Sequence, residues 1–243
     1  MISVVISAQS EKTICPELLK SLDSQSISHE IIINLNRELP DRGKAIPTAK
    51  YNFVLFLDQD CEIPNKDYLQ NIWDYFSSNS EVDVLAGYYE SPPGANSIAR
   101  SYNKLCKMWA HAGDTPNLLG GCFAVRNPKR FQDSVWQVNA WGGEDALIGL
   151  RLKASGTILA SEPWFWVYHH DQGNSIKFIK RAWIHGRARS SFKLKNTKRS
   201  RYFLQHFPEL KVFEILIIGI HMLVVGLGSA CNGLTAPHTS PKK

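Results

Sequence analysis

The chain has 243 residues, 44% hydrophobic and 21% charged. That is enough apolar material for one sizeable core, and the composition excludes a disordered chain or a low-complexity array. The formal net charge of +6 is concentrated: residues 172 to 208 hold ten Lys/Arg and no acid, while the rest is net acidic. That pattern speaks against a nucleic-acid-wrapping surface, and no nucleic acid is expected among the partners.

The five cysteines (Cys15, Cys61, Cys106, Cys122, Cys231) are scattered, odd in number and form no CxxC pair. They suggest neither a zinc knuckle nor a disulfide framework, and a reducing, cytosol-facing compartment fits best. The opening MISVVISA has no basic region before a long apolar stretch, so no secretory signal is expected.

In chain order, residues 2 to 8 are a β-branched run and read as a buried strand. Pro16 stands near the start of a helix with an apolar face of Leu18, Leu19 and Leu22. Residues 30 to 35 read as a second buried strand, 43 to 50 as a short helix, and 51 to 57 as a third strand. Residues 67 to 78 form an amphipathic helix through Tyr68, Leu69, Ile72, Trp73 and Phe76, and 82 to 88 another strand. Buried strands alternating with helices predict an α/β fold with a mainly parallel central sheet. Ligands of such sheets sit beyond the C-terminal ends of the strands.

The third strand ends in Asp58-Gln59-Asp60. On extended backbone, residues i and i+2 face the same way, so both carboxylates can share one cleft. Two carboxylates so close repel unless something positive lies beside them, and Mg²⁺ or Mn²⁺ bridging to phosphate oxygens is an economical solution. The plain alternative is a solvated turn after a strand, which Asp favours anyway.

Further on come LLGGCFAVRN at 118 to 127 and NAWGGEDALIGLRL at 139 to 152. The order DxD, GG-x-F-x-x-R, then W-G-G-E-D before a helix resembles the family 2 glycosyltransferases, whose fold is called GT-A. RGKAIPTAK at 42 to 50 resembles the segment preceding their DxD strand, and the match covers roughly residues 2 to 193. The resemblance implies a Rossmann-related three-layer α/β fold with a mainly parallel central sheet, followed by C-terminal helices.

It also implies site roles. Asp60 would be a direct ligand of Mn²⁺ or Mg²⁺, with Asp58 nearer the ribose or the metal's waters. Arg42, Lys44, Gly120 and Gly121 would join Asp58 around a nucleotide-sugar, UDP-linked by family precedent. Trp141, Gly142, Gly143 and Glu144 would form the acceptor end, and Asp145 would be the general base of an inverting displacement. Leu147, Leu150 and Leu152 would be core. One of His169 and His170, which follow an aromatic strand and point to opposite faces, would be a third metal ligand. Each feature also has a bland explanation: a tight turn for the glycines, helix-dipole complementarity for the acids, a structural role for the histidine.

The chain departs from the family at the second strand, which commonly ends in an acid that helps read the base. Here the residues are Asn34 and Asn36, and in the turn after the first strand Glu11 is the only acid. Two other readings therefore stay open: a non-catalytic membrane-bound scaffold with this fold, and a nucleotidyltransferase.

Beyond the catalytic domain (1–193) the expectation is a basic segment (194–211), an apolar helix (212–232) and a short tail (233–243). In the helix after Asn174, Ile176, Ile179 and Trp183 form one stripe, with Lys177, Lys180 and Arg181 on other faces. Residues 215 to 230 carry one His and no formal charge. They suit a single-pass anchor, an in-plane membrane helix or a docked helix. Basic residues before them place the enzyme on the cytosolic face of a membrane, with a glycan or lipid-linked acceptor.

Overall fold

A computed structural model describes residues 1–35, 41–111, 115–138, 142–170, 173–191 and 210–235. The β-branched run forms β1 (Ile2–Ala8), flanked by β2 (His29–Leu35) and β3 (Phe53–Asp58), all parallel. Beyond β3 the sheet continues through β7 (Cys122–Arg126), β5 (Val84–Ala86) and β8 (Leu159–Ala160). The order is β2-β1-β3-β7-β5-β8, with β7 the antiparallel member. This mainly parallel sheet with helices on both faces is the expected GT-A-like architecture.

Alternation along the strands feeds two cores. Ile2, Val4 and Ile6 of β1 and Leu55 and Leu57 of β3 face α1 (Pro16–Asp23) and α2 (Tyr68–Ser78), through Leu18, Leu22, Tyr68, Ile72 and Phe76. Val5, Val54 and Phe56 face the other way, toward α4 (Asp133–Trp136) and α5 (Glu144–Ala154), through Trp136, Ile148 and Leu152. Both faces of the central strands are covered, which is why they read as continuous apolar runs.

Several expectations need correction. β2 is an edge strand paired only with β1, so Ile31 and Ile33 are exposed rather than buried. In place of the helix expected over 43 to 50 stands one 3₁₀ turn, Arg42–Ala45, started where the Asp41 carboxylate accepts the Gly43 N–H at 3.0 Å. The strand expected over 82 to 88 is two: β5, and β6 (Tyr88–Glu90), which leaves for a second sheet with β4 (Cys61–Glu62) and β9 (Trp166–His169). Gly87 makes the switch, since a Cβ there would overlap the Cys122 thiol and lie 2.8 Å from the Phe165 carbonyl. Leu150 of α5 is exposed, and Ile148 takes the core position.

A long helix that the sequence reading passed over, α3 (Ser97–Ala110), is capped by the Asn96 side chain accepting the Ala99 N–H at 2.9 Å. Against it lie α6 (Ser175–Ser191) and α7 (Val212–Thr235). The last two pack very close: a Cβ on Gly186 would overlap the Val225 carbonyl, and one on Gly228 would lie 2.7 Å from the Trp183 carbonyl. α7 also meets α3 through Ile218 and Met108, with Lys104 3.1 Å from Glu214. On α6 the stripe Ile176, Ile179, Trp183 faces outward, and Phe178 and Ala182 face the core. Val212–Cys231 is long and apolar enough to cross a membrane, and its outer face exposes Phe213, Leu216, Leu223 and Leu227. The basic residues between 192 and 209 lie outside the described residues.

Candidate active site

Parallel pairing of β1 and β3 sets Ser7 beside Asp58 at the C-terminal ends of the two strands. Immediately beyond them is a cavity of about 650 Å³, walled by these strand ends, the Leu119-Gly120 turn, the start of α5, and α3, α6 and α7. Asp58, Asp60, Gly120, Gly142, Gly143, Glu144, Asp145, Arg42 and His169 all line it. The folded chain thus unites residues more than a hundred positions apart.

Arg42 organises the strand-end side of the cavity. It is 3% exposed, and its guanidinium donates to Asp58 Oδ1 at 2.8 Å and Ser7 Oγ at 2.9 Å, with Glu144 Oε1 at 3.8 Å. Burial alone would disfavour its charge, but the Asp58 and then Glu144 carboxylates outweigh burial and raise its pKa. Asp58 Oδ2 also accepts from the Tyr89 hydroxyl at 3.4 Å, and that hydroxyl accepts the Gly121 N–H at 2.8 Å. The glycine pair is required by this packing. A Cβ on Gly120 would overlap the Arg42 guanidinium, and one on Gly121 would lie 2.9 Å from both Asp58 Oδ2 and Cys61 Sγ.

Asp60 meets one of the two histidines. His169 is buried, lies flat against Tyr89 at 4.4 Å between ring centroids, and holds Nε2 3.6 Å from Asp60 Oδ2. Its Nδ1 is 2.8 Å from Asn103 Oδ1, while Asn103 Nδ2 donates to the His169 carbonyl at 3.0 Å. With that amide orientation Nδ1–H donates to Asn103, which leaves Nε2 facing the Asp60 carboxylate. Two electron-rich atoms so placed call for a proton or a cation between them. His170 turns away, with Nε2 2.7 Å from Glu62 Oε2, and is not among the residues lining the cavity.

The loop before α5 enters it through Gly142 (φ 80°) and Gly143 (φ 83°), a left-handed pair that a side chain would strain. A Cβ on Gly142 would also lie 2.9 Å from both Ile184 and His185, so α6 presses directly on this loop. Asp145, in the first turn of α5, accepts the Ala146 N–H at 2.7 Å and the Gly120 N–H at 3.1 Å. Burial, and next the Glu144 carboxylate, push its pKa up to about 7 despite these bonds. Burial likewise raises that of Glu144, with Arg42 opposing.

Other expected site residues fall elsewhere. Lys44 is exposed and away from the cavity lining. Asn34 is buried and donates to the Asp41 carbonyl at 2.8 Å, holding the chain rather than facing the cavity. Trp141 and Asn36 lie outside the described residues. Sequence reading missed Tyr89, Asn103 and the α3 wall of Tyr102, Leu105 and Trp109. The signal was present: Asn96 as a cap, then a stripe at 102, 105, 106 and 109.

No protein-family profile matches the sequence, and no curated protein does. Solved structures do match in fold. One is the mannosyltransferase PcManGT from Pyrobaculum calidifontis, in complex with GDP-Man and Mn²⁺. It is 15% identical with a TM-score of 0.53, over 94% of this chain and 75% of that one. Another is S. aureus TarS (residues 1–349) in complex with UDP-GlcNAc. It is 17% identical with a TM-score of 0.52, over 95% of this chain and 83% of that one. The chain therefore has the GT-A-like fold of nucleotide-sugar-dependent glycosyltransferases.

Proposed function

We propose that this protein is a metal-dependent, inverting glycosyltransferase that moves a sugar from a nucleoside diphosphate to an acceptor hydroxyl. The observation that carries the reading is the convergence, in one cavity at the β1 and β3 ends, of the Asp60–His169 pair and the raised-pKa carboxylate of Asp145.

The residues fit a divalent metal. Asp60 offers a carboxylate and His169 an Nε2 lone pair, and Asn103 orients the imidazole from behind. Among the described residues no third His, Cys, Asp or Glu completes a cluster, which suits a hard ion whose remaining ligands are diphosphate oxygens and water. When bound, such a metal would stabilise charge on the departing diphosphate. Asp58, expected at both donor and metal, is committed to Arg42, which favours a role beside the nucleotide.

Asp145 takes the proton of the acceptor hydroxyl. The acceptor oxygen, relieved of that proton, bonds to the anomeric carbon as the bond to the diphosphate breaks, with inversion. A carboxyl raised to about 7 is well matched to that work near neutral pH. Glu144, beside Arg42, contacts the acceptor. α7 lies in the plane of a membrane surface, because its inner residues His221 and Val225 line the cavity while its outer face is apolar.

The test is a thermal-shift panel of UDP, GDP, ADP, CDP and dTDP, each with Mn²⁺ and with EDTA. A ligand at about a hundred times its Kd adds roughly 2.7 kcal/mol. Stabilisation by one nucleotide only with metal supports the donor site and names its class. No response to any of them leaves a scaffold that kept the fold and lost the chemistry.

A further inference from the structure

The cavity has two chemically different ends. One is the polar end at β1, β3 and α5. The other is built by three helices and is apolar: Leu105 and Met108 of α3, Ile184 of α6, Met222 and Val225 of α7. The ribose, the diphosphate and the sugar of a donor present hydroxyls and charged oxygens, and aliphatic side chains such as these satisfy none of them. The apolar end also opens outward. Met222 both lines the cavity and is 45% exposed, on the same helix as the exposed Leu223 and Leu227. The interior lining therefore continues into the apolar surface of α7.

The same cavity has a cationic ledge. Lys177, Lys180 and Arg181 occupy one face of α6 and line the cavity, as do Ile184 and His185 one turn on. Arg181 sits 4.6 Å above the Tyr102 ring of α3, and Ile184 and His185 abut Gly142 of the acceptor loop. The ledge thus begins one helical turn before the residues that touch Gly142.

We propose that the acceptor is an amphiphile: a sugar head joined through phosphate to an apolar chain. The phosphate is seated on Lys177, Lys180 and Arg181. The chain runs along Leu105 and Val225 and leaves past Met222. This deepens the glycosyltransferase reading and rests on it. The head presents the hydroxyl whose proton passes to Asp145, and the new glycosidic bond replaces the one to the nucleoside diphosphate.

The experiment measures binding of octyl, decyl and dodecyl phosphate, each below its micelle concentration, to the full chain by intrinsic tryptophan fluorescence. Inorganic phosphate and dodecyl maltoside are the controls. Affinity should rise with chain length, by up to about fourfold for each methylene that enters the groove. Both controls should bind at least about tenfold more weakly than dodecyl phosphate. The Lys177→Gln/Lys180→Gln double variant should lose about tenfold or more in alkyl phosphate affinity. Met222→Asp, at an exposed position, should flatten the chain-length series. Nucleotide binding with Mn²⁺ is measured on the same preparations. If it persists while alkyl phosphates fail to bind, or bind no better than the maltoside, the amphiphile proposal is overturned and the transferase reading stands. If the double variant weakens the nucleotide rather than the alkyl phosphate, the ledge serves the donor and the proposal is again overturned. Loss of both kinds of binding in the parent chain sinks the transferase reading itself.

Discussion

Arg42 and Asp58, sixteen positions apart, meet at 2.8 Å with the guanidinium almost wholly buried. The pair joins the 3₁₀ turn to the end of β3, and Ser7 and Glu144 tie it to β1 and α5. Removing the cation strands two carboxylates. Arg42→Met is expected to destabilise the protein by about 3 kcal/mol, the usual cost of breaking a buried pair. Urea denaturation reads it, and a change within error of zero would show the pair to be incidental.

Asp145→Asn keeps the shape of the side chain and removes the proposed base. Transfer should fall by roughly 10²–10⁴ in kcat, with metal-dependent nucleotide binding kept within about twofold by titration. Turnover at the parent rate would remove Asp145 from that role.

The raised carboxyl sets a pH profile. As the proposed base Asp145 would act only when ionised, and burial with the Glu144 carboxylate pushes its pKa up to about 7. Activity should therefore be full above that value and fall about tenfold per unit below it in kcat/KM, which reports the free enzyme. A profile still flat at about pH 5 would contradict the assignment.

The two adjacent histidines should behave differently. His169→Ala is expected to weaken Mn²⁺-dependent nucleotide binding about 10–100-fold, and Asn103→Leu about tenfold by releasing the imidazole. His170→Ala should cost at most about 1 kcal/mol through its half-exposed contact with Glu62, with metal affinity unchanged. Equal effects from both histidines would refute the one-sided site.

Gly142→Ala should uncouple activity from global stability. The added Cβ meets Ile184 and His185 and opposes a φ of 80°. Displacing the loop that carries Asp145 should reduce kcat more than it lowers Tm. A fall in Tm with kcat per folded molecule preserved would show that the loop position is not critical.

Much of the fold was legible from local pattern. β1, α1, β3 and α2 fall where their apolar periodicity and turn residues placed them, because a strand covered on both faces and a helix covered on one leave plain signatures. The Asp58/Asp60 pair at a strand end and the acids opening α5 were legible for the same reason. Errors came where a neighbour decides the outcome. β2 has the same isoleucine run as a central strand and differs only in lacking a partner on its outer side. The 82–88 run breaks at Gly87 because Cys122 and Phe165, distant in sequence, leave no room for a Cβ.

By itself, then, the sequence determined the alternation of strands and helices, the order of its motifs and the apolar character of Val212–Cys231. These depend on residue type and short-range spacing. Only the tertiary structure decided that His169 rather than His170 joins Asp60, that Arg42 holds Asp58, and that Lys44 stands outside. It also decided that α7 sits against α3 and α6 and walls the cavity. Those outcomes depend on which side chains, far apart along the chain, converge in space, and local pattern carries no record of that convergence.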